Sequence, residues 1–258
     1  MNFDLQGKRA FVLGSTQGLG RAIAAGLAAE GAMVGITGRD AKKASTAASA
    51  IGKTIKSYVL DTGDLASVDA SWEAYSREFG GCDVLVLNSG GPPAGPAQNV
   101  APEVWRKQFD AMFVGLVRMA DHALPGMIER KFGRIIILGS SGIVQPIPNL
   151  AISNALRAAL IGWSKTLAGE VGKHGVTVNV VVPGRIQTER IEELDAINAS
   201  RSNKSVEAVR AASIDKIPTG RYGHAEEFAS AAVFLASAAA SYITGAMIRV
   251  DGGMIASI

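Results

Sequence analysis

The chain has 258 residues, 48% hydrophobic and 19% charged, with three more basic than acidic side chains and a formal net charge of +3. That is ample material for a buried core, in one large domain or two small ones. So small a net charge, with no run of basic residues interleaved with aromatics, argues against nucleic acid as a partner.

Taken in chain order, Met1–Gln6 lacks the basic start and apolar stretch of a signal peptide. The first apolar, β-branched run is Ala10–Leu13. A glycine-rich turn follows, and then Leu19, Ile23 and Leu27 on one helical stripe that Gly31 ends. Further runs are Met33–Thr37, Ile55–Leu60, Val84–Leu87, Arg134–Leu138, Thr177–Val182 and Met247–Val250, with helix-length segments between them. Apolar runs without alternation suit parallel strands covered on both faces, and repeated strand–helix–strand crossovers give an open, doubly wound α/β sheet of about seven strands. Gly90–Pro96 follows a strand directly and reads as a loop at the sheet's edge, not a linker, so a single domain over 1–258 is expected. The lone Cys82 excludes an internal disulfide and suits a reducing compartment. Phe228 to Ile248 carries no charge and is long enough to span a bilayer. Its Ala and Ser content and Gly245 favour a buried helix running into a strand, so no membrane association is expected and the cytoplasm is the expected location.

Gly14-Ser15-Thr16-Gln17-Gly18-Leu19-Gly20 stands where the first strand gives way to a helix. A pyrophosphate bound at a helix N-terminus needs close backbone approach, and side chains at Gly14, Gly18 or Gly20 would obstruct the turn, the phosphate or the helix–strand packing. The spacing glycine-x-x-x-glycine-x-glycine resembles that of the short-chain dehydrogenase/reductase family. The likeness continues through Asp61-Thr62, Asn88-Ser89-Gly90-Gly91, Pro183-Gly184 with Thr188, Arg221-Tyr222-Gly223, Ser241-Tyr242-Ile243-Thr244-Gly245 and Val250-Asp251-Gly252-Gly253. Within the family the chain is most similar to the 3-oxoacyl-acyl-carrier-protein reductases. The resemblance implies a Rossmann-type dinucleotide-binding domain. In it the glycine loop, Asp61, Thr62, Asn88, Ser89, Gly90, Arg157, Pro183, Gly184, Ile186 and Thr188 would hold the cofactor. The end of the second strand reads Thr37-Gly38-Arg39, with no carboxylate to bind a ribose diol and a guanidinium able to pair with a 2′-phosphate. NADP(H) is therefore expected over NAD(H), Gly38 leaving room for the phosphate. The other reading of Arg39 is a solvated turn residue beside Asp40, and Gln17 stands where many phosphate-selective relatives carry a second basic residue.

The family's catalytic group is an asparagine, a serine, a tyrosine and a lysine. By position Ser140 matches the serine, while Ser153 falls on the tyrosine, Arg157 on the lysine and Met112 on the asparagine. Ser140, Ser153 and Arg157 are the candidate catalytic residues, with Ser153 and Arg157 on one helical face. A plain alcohol beside a guanidinium transfers protons far less readily than a phenol beside an ammonium. His122, His174 and His224 read as surface or core residues, and no metal-ligand spacing occurs. In relatives the region of 189–218 forms a lid over the substrate. Here it carries Arg190, Arg201, Lys204, Arg210 and Lys216 among Glu189, Glu192, Glu193 and Asp195. Mixed charge makes a solvated face the plainer reading; a basic inner face above Arg157 and Arg185 would imply an anionic substrate. The expected function is an NADP(H)-dependent oxidoreductase acting on a small carbonyl or acyl thioester. The alternatives are a catalytically silent NADP-binding partner or sensor, and a lyase- or isomerase-type reaction. A homotetramer is also expected, from an alanine-rich surface on the Ala225–Ala236 helix and an edge strand at Met247–Val250.

Overall fold

The computed structural model describes residues 3–257; Ile258 and the Met1-Asn2 start of the segment read above as no signal peptide lie outside the described residues. The strands are β1 (Arg9–Val12), β2 (Met33–Gly38), β3 (Lys56–Val59), β4 (Val84–Leu87), β5 (Gly133–Leu138), β6 (Val176–Pro183) and β7 (Met247–Val250). They form one sheet in the order β3-β2-β1-β4-β5-β6-β7, every pair parallel. Each expected strand is present, with ends shifted by a residue or so.

Pleating explains why the central strands are apolar throughout. Ala10 and Val12 of β1, Val84 and Val86 of β4, and Ile136 and Leu138 of β5 enter one core. Their neighbours Phe11, Leu85, Leu87, Ile135 and Ile137 enter the other. Full burial of each Val, Leu, Ile or Phe among them stabilises by about 1.5–3 kcal/mol. The first core is closed by α1 (Gly18–Ala29), α2 (Ala41–Ile51) and α9 (Ala225–Ala236). The second is closed by α3 (Leu65–Phe79), α5 (Gly115–Glu129) and α6 (Ala151–Val171). Asp40 and Asp64 cap α2 and α3 by accepting the amide hydrogens of Lys43 and Ala66. Arg134 is the exception in a buried strand. Its guanidinium donates to the carbonyls of Ser237, Gly133 and Gly175 and stacks over Phe132 at 4.3 Å.

Before α5, a short helix α4 (Pro102–Phe109) passes through a π-helical turn at Asp110–Val114. Beyond β6, α7 (Glu189–Ser202) and α8 (Val206–Ile214) form an outlying helical pair. The uncharged stretch Phe228–Ile248 divides into α9, a turn and β7, and among the described residues no helix is long and apolar enough to cross a membrane.

One expectation needs correction. The alanines of α9 do not make an outer surface: Ala229, Ala232 and Ala236 are buried, and Val233 fills the space left by Gly26 of α1. Glu226, Glu227 and Ser230 face outward instead. On the edge strand β7, Met247 is 47% exposed.

Candidate active site

Successive crossovers run in opposite directions on either side of the β1/β4 boundary, which opens a crevice at the C-terminal ends of the strands. The site residues expected from sequence follow β1 to β6 around that crevice or lie on α6 beside it.

The glycine loop is built for close approach. Gly14 and Gly18 have φ of +54° and +58°, which side chains rarely tolerate. A Cβ on Gly20 would lie 2.6 Å from the Gly14 carbonyl oxygen and 3.0 Å from Asn88 Nδ2. Asn88 donates to that same carbonyl at 2.9 Å, tying the end of β4 to the loop. Gly18 lies opposite Thr188, whose Cγ2 would be 3.8 Å from a Cβ there, so the turn after β6 faces the loop. Ser89 has a buried hydroxyl with no partner among the described residues. An orphaned hydroxyl beside an open glycine cradle fits a polar dinucleotide.

The expected residues differ in which of their groups the frame leaves free. The Ser15 hydroxyl points inward, donating to the Val12 carbonyl at 2.6 Å and accepting the Thr37 amide, while its own amide goes to the Thr37 carbonyl. Ser15 is thus a brace between β1 and β2 and has only its carbonyl left for a ligand. Ile186 is buried in the core against Gly223, so only its main chain faces other groups. The Asp61 carboxylate accepts the Gly63 amide at 3.0 Å and shapes its own turn; Thr62 is set by contact of its carbonyl with Gly115. The space beside Gly38 is filled by the Thr16 methyl group, not left for a phosphate. Arg39 itself is exposed and has no hydrogen bond or ion pair among the described residues, because Asp40 caps α2 instead of pairing with it.

At the end of β5, Ser140 accepts the Gly142 amide at 3.2 Å. Ser153 is buried on α6, and its hydroxyl has no hydrogen-bond partner among the described residues. One turn on, Arg157 donates from Nη1 to the Leu138 carbonyl at 2.9 Å. Burial, with Arg190 nearby, pushes the Arg157 pKa down to about 10, so the group remains a cation near neutral pH. Asn154, between them, holds the preceding loop through both Ile147 main-chain groups. Met112, within the π-helical turn, is buried with Ile152 and Leu156 and is a packing residue. Among the described residues no cluster of potential metal ligands occurs. His122 sits away from the crevice, paired with Asp69 at 2.7 Å and stacked on Trp72.

The segment read as a lid is the α7–α8 pair. Its acidic residues are not all solvated. Asp195 is buried and accepts from Arg185 Nη1 and the Tyr222 hydroxyl, both at 2.9 Å, which anchors α7 to the frame. Arg185 therefore does not join Arg157. Arg201, Lys204 and Lys216 line a separate pocket between α7 and α8, and Arg210 stacks over Tyr222. Arg190 is the residue that reaches across. Its Nη2 donates to the Pro92 carbonyl at 2.9 Å, its Nη1 to Glu193 at 3.2 Å, and its guanidinium lies against Gly91. A cation in the first turn of a helix opposes the helix dipole, and that misplacement is the sequence signal that would single it out.

Residues 14–255 match the family profile described as enoyl-(acyl carrier protein) reductase. The chain belongs to the short-chain dehydrogenase/reductase family. It is 37% identical to 3-oxoacyl-[acyl-carrier-protein] reductase FabG of Escherichia coli (strain K12), over 98% of this chain and 99% of that one. Among solved structures it is similar to L-sorbose reductase from Gluconobacter frateurii, complexed with NADPH and L-sorbose (TM-score 0.94, 33% identity, 100% of both chains). It is also similar to YwfH, an NADPH-dependent reductase involved in bacilysin biosynthesis (TM-score 0.93, 29% identity, 98% of this chain and 100% of that one).

Proposed function

We propose that this short-chain dehydrogenase/reductase is an NADP(H)-dependent oxidoreductase of a carbonyl/alcohol pair, similar to the 3-oxoacyl-acyl-carrier-protein reductases but with an altered proton-transfer group. The observation that carries the reading is one crevice shared by the glycine cradle and the Ser153–Arg157 pair. The cradle of Gly14, Gly18 and Gly20, with Thr16, Gln17 and the start of α1, would hold the pyrophosphate. Unpaired Arg39 would take the 2′-phosphate, Ser89 and Asn88 would line the adenosine side, and Thr188 with the Pro183-Gly184 turn the nicotinamide side. When bound, the cofactor supplies a hydride.

Ser153 and Arg157 stand where the family has its tyrosine and lysine. The unpartnered Ser153 hydroxyl and that of Ser140 donate hydrogen bonds to a carbonyl oxygen, and the Arg157 cation stabilises charge developing on it. Neither Ser153 nor Arg157 titrates near neutral pH, so the proton comes from water relayed by the hydroxyls. That same property favours the second reading, a silent cofactor-binding partner or sensor. Following NADPH absorbance against a panel of ketones, oxo acids and 3-oxoacyl thioesters separates them. Consumption of NADPH with one of them supports the enzyme. Tight NADPH binding with no turnover across the panel supports the silent protein.

The reading includes a cytoplasmic protein with no membrane or nucleic-acid partner. It also includes a homotetramer that covers the exposed edge at Met247 and the exposed Tyr242. Light scattering that gave the mass of one 26.7 kDa chain at micromolar concentration would refute the tetramer.

A further inference from the structure

Arg157 is a partly buried cation whose one partner among the described residues is a neutral carbonyl. Among the described residues no carboxylate lies within ion-pair distance of it, and the charge closest in effect is a second cation, Arg190. A buried charge without a counter-charge is costly, and a protein that keeps one beside an open crevice recovers the cost when an anion binds. Arg190 is only partly neutralised, because its carboxylate partner Glu193 is 62% exposed and such surface pairs are weak. Arg190 also comes from a different element. It starts on α7, after β6, and ends on the Pro92 carbonyl, after β4. Arg157 is thus anchored at the end of β5 and Arg190 on the loop that follows the neighbouring β4, near enough for the Arg190 charge to act on Arg157, and the Ser153 hydroxyl lies one helical turn from Arg157.

Resting on the proposed carbonyl chemistry, we propose that Arg157 and Arg190 form a carboxylate-binding clamp. The substrate is then a free oxo acid, its carbonyl toward Ser153 and its carboxylate between the two arginines. A thioester is neutral at that point and leaves both cations unmatched. The cofactor's own pyrophosphate is a poor candidate for the anion. Its cradle is at the end of β1, whereas Arg157 is fixed to the end of β5, two strands away and so about 10 Å across the sheet. The Arg201–Lys204–Lys216 pocket is a different feature, formed between the lid helices, and does not share these residues.

The test is calorimetric and uses unreactive probes. Malonate and its neutral counterpart malonamide are titrated into the full chain, with and without saturating NADP+, in wild type, Arg190→Gln and Arg190→Lys. Thermal unfolding of each variant checks that it is folded. Wild type is expected to bind malonate at least about tenfold more tightly than malonamide, as a charge-assisted pair implies. Arg190→Gln should lose most of that preference and Arg190→Lys regain part of it. Equal affinity for the two probes in wild type overturns the clamp, as does a full preference surviving in Arg190→Gln. A loss of NADP+ affinity in Arg190→Gln with malonate binding unchanged assigns the residue to the cofactor and also overturns it. If wild type fails to bind NADP+ at all, the proposed cofactor is wrong, yet the malonate preference of the cofactor-free chain still decides the clamp.

Discussion

Replacing Ser153 by tyrosine together with Arg157 by lysine tests whether the altered pair limits ordinary carbonyl reduction. Burial lowers the Arg157 pKa to about 10, still far above 7, so the guanidinium stays a cation there. The Ser153 hydroxyl has no partner that would draw off its proton. The pair therefore donates hydrogen bonds but transfers protons poorly. A phenol beside an ammonium restores a transferable proton, and a positioned general acid is worth about 10²–10⁴ in rate; its lower bound corresponds to about 2.7 kcal/mol of barrier. The change has a cost that the structure identifies. Arg157 satisfies the Leu138 carbonyl, and a lysine turned toward the crevice leaves that oxygen unpaired, destabilising the fold by about 1–3 kcal/mol. The assay is NADPH consumption at saturating cofactor with simple ketones and 3-oxoacyl thioesters, alongside cofactor affinity and a melting curve. The expected outcome is a slow wild type, a double variant about 10²-fold faster on at least one substrate, and smaller gains in each single variant. Each single change helps less because tyrosine without lysine stays near pKa 10. If wild type already turns over some substrate quickly and the double variant loses that activity, Ser153 and Arg157 have a chemistry of their own and the reasoning fails.

Arg39→Ala should lower affinity for NADPH about ten- to a hundred-and-fifty-fold and leave NADH binding nearly unchanged, since Arg39 has no partner among the described residues. Equal affinities of wild type for the two cofactors would end the NADP assignment. Asp83 accepts from the Arg9 amide, Arg9 Nε and Nη2, and Arg130 Nε. Asp83→Ala should therefore cost about 3 kcal/mol by urea unfolding, because two arginines lose their counter-charge. Burial pushes the Asp83 carboxyl up, and the Arg9 hydrogen bonds outweigh it, so its pKa lies below the ordinary value. A depressed folded-state pKa gives stabilisation that is complete above the unfolded value of about 3.9 and lost as pH falls through the folded one. The difference between wild type and variant should accordingly be flat from neutral pH to about 5 and shrink below about 4; a difference that grows in acid contradicts the assignment. Cys82 is fully buried with its thiol pKa pushed up to about 12, so a thiol reagent near pH 8 should label it only after denaturation. Rapid labelling of the native protein would show that the β4 end of the core opens.

The strands were legible because a two-sided parallel sheet demands unbroken apolar runs, and the glycine loop because no other residue fits its backbone. What sequence misjudged were groups whose role depends on where a side chain turns. Ser15 belongs to a motif that reads as ligand-binding, yet its hydroxyl braces β1 to β2. The Gly38 space belongs to Thr16, a residue over twenty positions earlier that spacing rules do not connect with it. In sequence, Arg185 and Arg190 both stand as candidates for a basic surface over the site. A buried aspartate captures the first, while the second crosses the crevice, a distinction that only tertiary contacts make. The alanines of α9 were read as a surface because their spacing says which residues share a face but not which face is inward.

Strand β7 pairs last along the chain, and the turn after β6 depends on it. Gly184 donates to the Val250 carbonyl at 3.0 Å and has Asp251 packed where its side chain would be. Asp251 in turn accepts the amides of Gly253 and Ile255. The wall of the crevice that carries Thr188 is therefore complete only after the C-terminal strand has docked, while the opposite wall begins at Gly14. Such long-range parallel pairing is slow to form. During synthesis the glycine loop is made first but has no opposite wall until nearly the whole chain has emerged. Loss of the last strand should leave the glycine cradle without a facing turn, which links cofactor binding to completion of the fold and makes cofactor a ligand that favours the fully folded chain.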